Sequence, residues 1–145
     1  MIGLYGPASA GKTAFAVEWS REAAGRFPDG RLVIDLRGSD TATALTPAEA
    51  VDEALRALGV PPEQLGLPDR QAQAKYRSLV AGRRMLILLD DAGADGPVRA
   101  LLSEGSHLTV LVTARRPVAG AHAIAIAVLG GCTPPRHSGH LRRAP

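Results

Sequence analysis

Gly6-Pro-Ala-Ser-Ala-Gly-Lys-Thr13 has the spacing G-x-x-x-x-G-K-[ST], and no other stretch restricts the fold of this chain as much. Two glycines permit backbone conformations and close approaches that a Cβ would block. The apolar run Ile2–Tyr5 comes directly before the loop and a helical pattern directly after it. A strand, a tight loop and a helix in that order make an anion-binding cradle. Successive backbone N–H groups point inward, and the helix places the positive end of its dipole at the same point. In such a loop Lys12 reaches the β- and γ-phosphates of a nucleotide, and Thr13 offers a hydroxyl to Mg²⁺. A chance glycine-rich turn would match the pattern too. The flanking strand and helix separate the two readings.

The rest of the chain supplies elements of the same kind. Residues 12–25 read as a helix with Phe15, Ala16, Trp19 and Ala23 on one side. Trp19 on that side is read as core packing. The run 31–36 is a second strand, entered through the turn Pro28-Asp29-Gly30. Thr46-Pro-Ala-Glu49 predicts a helix start, with Thr46 as cap, Pro47 at the first helical position and Glu49 closing a capping box. Val51, Ala54, Leu55 and Leu58 then recur at helical spacing up to Gly59. A further helix is expected from a cap at Asp69 to about Ala81, burying Ala72, Tyr76, Leu79 and Val80. A short helix is expected over Pro97–Leu102. The runs 85–91 and 108–116 are continuous rather than alternating, which suits strands buried on both faces of a parallel sheet. A last strand is expected over 122–129. Strands alternating with helices define an α/β fold with right-handed crossovers.

Composition closes off other classes. One cysteine, Cys132, allows no disulfide within the chain and fits a reducing, cytoplasmic setting. No apolar run approaches the roughly 20 residues of a membrane helix. The net charge of +3 owes much to Arg136, Arg142 and Arg143 near the end, so nucleic-acid binding by this segment is not expected. Aromatic residues are 3% of the chain, which leaves the core to Ala, Leu, Val and Ile. Residues 130–145 carry Gly, Pro, His and Arg with no hydrophobic period and are expected to be disordered, leaving one domain over 1–129. His107, His122, His137 and His140 have no metal-ligand spacing.

Two strand ends complete the chemistry. Asp90 and Asp91 close the run 85–91, where ligands bind in open parallel sheets. Asp90 would hold Mg²⁺, directly or through water, and Asp91 could orient the attacking water. Thr113 and Arg115 lie at the tip of the run 108–116, where an Arg could sense a γ-phosphate. Asp35 within the second strand is read as an edge-strand position or a structural partner of Arg37.

Together these stretches resemble the NB-ARC nucleotide-binding domain of the STAND class of P-loop ATPases, in the version found in bacterial regulators of the SARP type. The residues that carry the resemblance are 6–38, 45–61, 76–92 and 108–116, in family order over about 1–129. It implies a three-layer α/β/α fold with a five-stranded parallel sheet of order 5-1-4-3-2. It assigns Gly6, Pro7, Ala8, Ser9, Ala10, Gly11, Lys12 and Thr13 to Walker A, with Thr13 and Asp90 on the metal. Arg115 becomes the sensor arginine, while the family often has Asn where this chain has Asp91. The implied function is an ATP/ADP switch with Mg²⁺ and slow hydrolysis at most, in a signal-transducing transcriptional regulator that self-associates when whole. The family motif before the first strand and the helical parts after the sheet have no counterpart in the chain. The expectation is therefore a fragment with weak adenine recognition. Two other readings stay open: an inactive remnant, and a small phosphotransferase using 67–77 as a lid.

Overall fold

A computed structural model describes residues 1–103 and 107–125. The expected strand residues 126–129, the tail 130–145, Cys132, His137, His140 and the tail arginines lie outside them. Five strands form one sheet: β1 (Ile2–Tyr5), β2 (Arg31–Asp35), β3 (Leu86–Ala92), β4 (Thr109–Ala114) and β5 (His122–Ala125). Their order is β2-β3-β4-β1-β5, and every neighbouring pair is parallel. The helices are α1 (Lys12–Glu22), α2 (Pro47–Ala57), α3 (Asp69–Val80) and α4 (Asp95–Leu101). This is a parallel α/β sheet, as the alternation of runs implies.

The two faces of the sheet are covered unequally. On one, Leu4, Leu86, Leu88 and Leu111 pack against Ala16, Ala23 and Phe27, so α1 is the main cover. On the other, Ile34, Ile87, Leu89 and Val112 belong to a larger cluster with Val51, Leu55, Tyr76, Val80 and Val98 of α2, α3 and α4. Leu86 to Leu89 of β3 are each at most 1% exposed, because that strand is sandwiched between both clusters. The unbroken apolar run is the sequence trace of that position. β2 is an edge strand and alternates instead, with Leu32 and Ile34 buried and Arg31, Val33 and Asp35 exposed. The edge position of Asp35 is thus the reading that holds. Its carboxylate accepts from the Arg37 backbone N–H at 2.9 Å, so its link to Arg37 runs through the backbone.

Local chemistry sets most helix ends. The expected capping box at α2 is complete: Thr46 Oγ1 accepts from Glu49 N at 3.3 Å, and Glu49 Oε2 accepts from Thr46 N at 2.8 Å. Four expectations need correction. α1 stops at Glu22, and a 3-10 turn over Ala24–Arg26 follows. Phe15 is 40% exposed, while Trp19 is half-buried and packs on Phe27 with ring centroids 6.4 Å apart. Asp69 does not cap α3; Pro68 holds the cap position and Asp69 is the first helical residue. A carboxylate in the first turn still complements the helix dipole. α4 begins two residues earlier than expected, at Asp95, because Pro97 falls within the first turn, where its missing N–H costs no helical bond.

Candidate functional site

The glycine loop joins a central strand to α1. Gly6 N bonds the Ala114 carbonyl at 3.3 Å, which ties the loop's first residue to the end of β4. Ser9 (φ 61°) and Gly11 (φ 78°) are left-handed, and Ala10 N turns back to Pro7 O at 3.3 Å. Gly11 precedes α1 and no side chain caps that helix, so its first-turn N–H groups have neither an intrahelical acceptor nor a side-chain cap. Lys12 Nζ donates to Gly6 O at 2.8 Å and Pro7 O at 2.6 Å. The ammonium is thus held over the loop by the loop's own carbonyls. Pro7, Ala8, Ser9, Gly11 and Thr13 are exposed, while Gly6, Ala10 and Lys12 are half-buried.

The acidic strand end meets this loop. Thr13 Oγ1 donates to Asp90 Oδ1 at 2.8 Å, linking residues 77 apart in sequence. Thr113 Oγ1 also donates to Asp90 Oδ1 and accepts from Asp91 N at 2.9 Å. Asp91 has φ 53°, and the register of β3 against β4 shifts between Leu89 and Ala92. That irregularity turns Asp91 towards the loop after β2. Its Oδ2 accepts from Ser39 N at 2.9 Å and Ser39 Oγ at 2.6 Å. Its carbonyl accepts from Gly38 N at 2.7 Å. Gly38 and Gly93 touch backbone to backbone: a Cβ on Gly38 would lie 2.0 Å from Gly93 N, and one on Gly93 would lie 2.4 Å from Gly38 O. Only glycine fits at either position.

The structure therefore brings Lys12, Thr13, Asp90 and Asp91 to one end of the sheet. Arg115 sits one residue beyond β4, exposed, with no hydrogen bond or ion pair to its side chain among the described residues. Sequence reading gave no role to Ser39, Gly38 or Gly93 and no contact to Thr113. The available signal was a glycine just past each of two adjacent strand ends, in Leu36-Arg-Gly38 and Asp91-Ala-Gly93.

The donors fit phosphate and a hard cation. The uncapped helix start, two left-handed loop residues and one ammonium suit phosphate oxygens. Thr13 and Asp90 offer oxygen donors 2.8 Å apart. Among the described residues no three His, Cys, Asp or Glu side chains cluster for a metal. Mg²⁺ in phosphate sites needs only one or two carboxylates beside phosphate and water, so the pair is sufficient. A groove of about 290 Å³ lies elsewhere, along β2 and α2 between Val33 and Arg56, and includes no loop residue. The loop would hold its ligand by backbone groups at a surface, not in a cavity.

Fold and site together define a parallel α/β protein with a glycine-rich strand-to-helix loop set against an acidic strand end. The proteins it is similar to are regulators. It is 39% identical over 131 residues to the regulatory protein AfsR of Streptomyces coelicolor, covering 87% of this chain and 13% of that protein. It is 40% identical over 124 residues to the regulatory protein AfsR of Streptomyces griseus, covering 82% of this chain and 12% of that protein. The chain thus spans about an eighth of the length of these relatives. No protein-family model matches it.

Proposed function

We propose that this chain is a nucleotide-binding module of the NB-ARC type, the switch segment of a transcriptional regulator. Its ligands are ATP and ADP with Mg²⁺, in the cytoplasm, and hydrolysis is slow at most. The observation that carries the reading is the Thr13–Asp90 hydrogen bond at 2.8 Å beside the glycine loop. Loop, helix start and acidic strand end are the three parts a Mg·nucleotide needs, and chance glycine turns do not assemble the other two. Read from its other edge the sheet runs β5-β1-β4-β3-β2, which supports the P-loop fold. Similarity to the AfsR regulators supports a part in transcription control within a longer protein. No helix among the described residues is long and apolar enough to cross a membrane.

Each residue has a task in this reading. The loop Gly6–Thr13 wraps the phosphates. Pro7 has no N–H, and the Gly6 and Ala10 N–H groups bond within the fold. The backbone donors are therefore those of Ala8, Ser9, Gly11, Lys12 and Thr13. The Lys12 ammonium leaves the Gly6 and Pro7 carbonyls to reach the outer phosphates. Thr13 and Asp90 hold Mg²⁺, which neutralises phosphate charge when bound. Asp91 Oδ1, the oxygen not engaged by Ser39, is the one available to orient a water. Arg115 is free to contact the terminal phosphate. The phosphotransferase reading loses its lid, because residues 69–80 are a packed helix with Ala72, Tyr76 and Val80 buried.

Thermal unfolding with and without Mg·ADP or Mg·ATP tests the proposal. The wild type should gain stability at millimolar nucleotide, and Lys12→Ala should lose the gain while keeping its own melting temperature. No shift in the wild type, or an equal shift in the variant, would refute it.

A further inference from the structure

The Asp91–Ser39 contact joins two strand ends 52 residues apart and does more than close a loop. A non-glycine residue at φ 53° is strained and persists only where its surroundings over-determine it. Here they do so at three points. Ser39 N and Oγ take Oδ2, Gly38 N takes the carbonyl, and Asp91 N is spent on Thr113 Oγ1. The directions in this chain are fixed. A backbone N–H can only donate, so the Thr113 hydroxyl accepts from Asp91 and its one hydrogen goes to Asp90 Oδ1. The same Asp90 oxygen receives Thr13. A continuous path therefore runs from the β2–α2 loop to the metal-side carboxylate: Ser39, Asp91, Thr113, Asp90, Thr13. Thr113 is 1% exposed, so water has little access with which to replace its part of the path.

We propose that Ser39 is a positioning residue of this site. It holds Asp91 left-handed, which aims the Asp91 amide at Thr113 and so orients the Asp90 carboxylate beside Thr13. This rests on the nucleotide reading above and extends it to a residue outside the glycine loop. The loop's own phosphate contacts do not pass through Ser39. Its influence therefore falls on the metal-dependent part of binding.

The test is calorimetric titration of ADP into the full chain, once in EDTA and once in excess Mg²⁺. Ser39→Ala should bind ADP in EDTA within about twofold of wild type and lose about tenfold in Mg²⁺, the scale of one charge-assisted hydrogen bond. Ser39→Thr, which keeps the hydroxyl, should restore the Mg²⁺ gain. Thr113→Val cuts the same path from its buried end and should show the same metal-selective loss. It serves as the readout if Ser39→Ala does not fold. An unchanged Mg²⁺ gain in a folded Ser39→Ala or Thr113→Val overturns the proposal, as does an equal loss with and without metal. A wild type that binds no ADP in either condition brings down the nucleotide reading itself, and this inference with it.

Discussion

Tyr76 offers the sharpest test of how this fold is held together. Its side chain is fully buried, and its hydroxyl donates to the Leu101 carbonyl at 2.9 Å. Leu101 ends α4, so that carbonyl is one of those a helix leaves without an internal partner. Tyr76→Phe keeps the ring and its packing but strands the carbonyl away from water. The cost should be about 2 kcal/mol, within the range of 1–3 for a buried polar group left unsatisfied. In a domain of this size that lowers the melting temperature by about 6 °C. The alkaline limb gives a second, independent reading. Burial disfavours the phenolate and pushes the Tyr76 hydroxyl above its ordinary value of 10. The unfolded chain then releases this proton near pH 10 while the folded chain keeps it. Tyr76's contribution is complete below pH 10 and is lost as pH rises above it, at about 1.4 kcal/mol per pH unit. Urea unfolding of wild type and Tyr76→Phe at pH 7 to 11 measures both effects. The difference between the two proteins should shrink above pH 10. If Tyr76→Phe matches the wild type within about 0.5 kcal/mol at neutral pH, or if the gap stays constant into alkali, the assignment of this hydroxyl is wrong.

Three further outcomes follow from local geometry. Thr46→Ala removes one half of the α2 capping box and should cost about 1 kcal/mol in urea unfolding at pH 7. The Glu49 carboxyl is held below its ordinary value of 4.5, first by the Thr46 backbone N–H and then by its hydroxyl. Its stabilisation is therefore present above pH 4.5 and lost as pH falls below, and Glu49→Gln should flatten that part of the acid limb. Gly38→Ala sets a Cβ 2.0 Å from Gly93 N and should cost more than either change, about 3 kcal/mol or more, in the same assay.

What could be read in the sequence was written locally. The α2 capping box needs only four consecutive residues, and the burial of β3 on both faces needs only an unbroken apolar run. The glycine loop with its strand and helix is legible for the same reason. Phe15 was misread because periodicity counts apolar residues without knowing where the helix is rotated. Gly11 fixes the entry into α1, and Ala16 and Ser20 become its buried residues. Ser39 was missed because its partner is on another strand, and two polar residues so far apart carry no local pattern. The left-handed turn at Asp91 was equally silent, since an aspartate gives no sign that tertiary bonds will hold it there.

The contact of Gly38 with Gly93 constrains how such a chain can change over generations. Most packed pairs drift by trading volume: one side grows, the other shrinks, and the fold survives. Here both partners already have no side chain, so neither has any volume to surrender. A substitution at one cannot be rescued at the other, and each position is tied separately rather than as a pair. Variation in this corner has to come from the loop behind Gly38, over residues 40–44, because α4 begins at Asp95, two residues after Gly93.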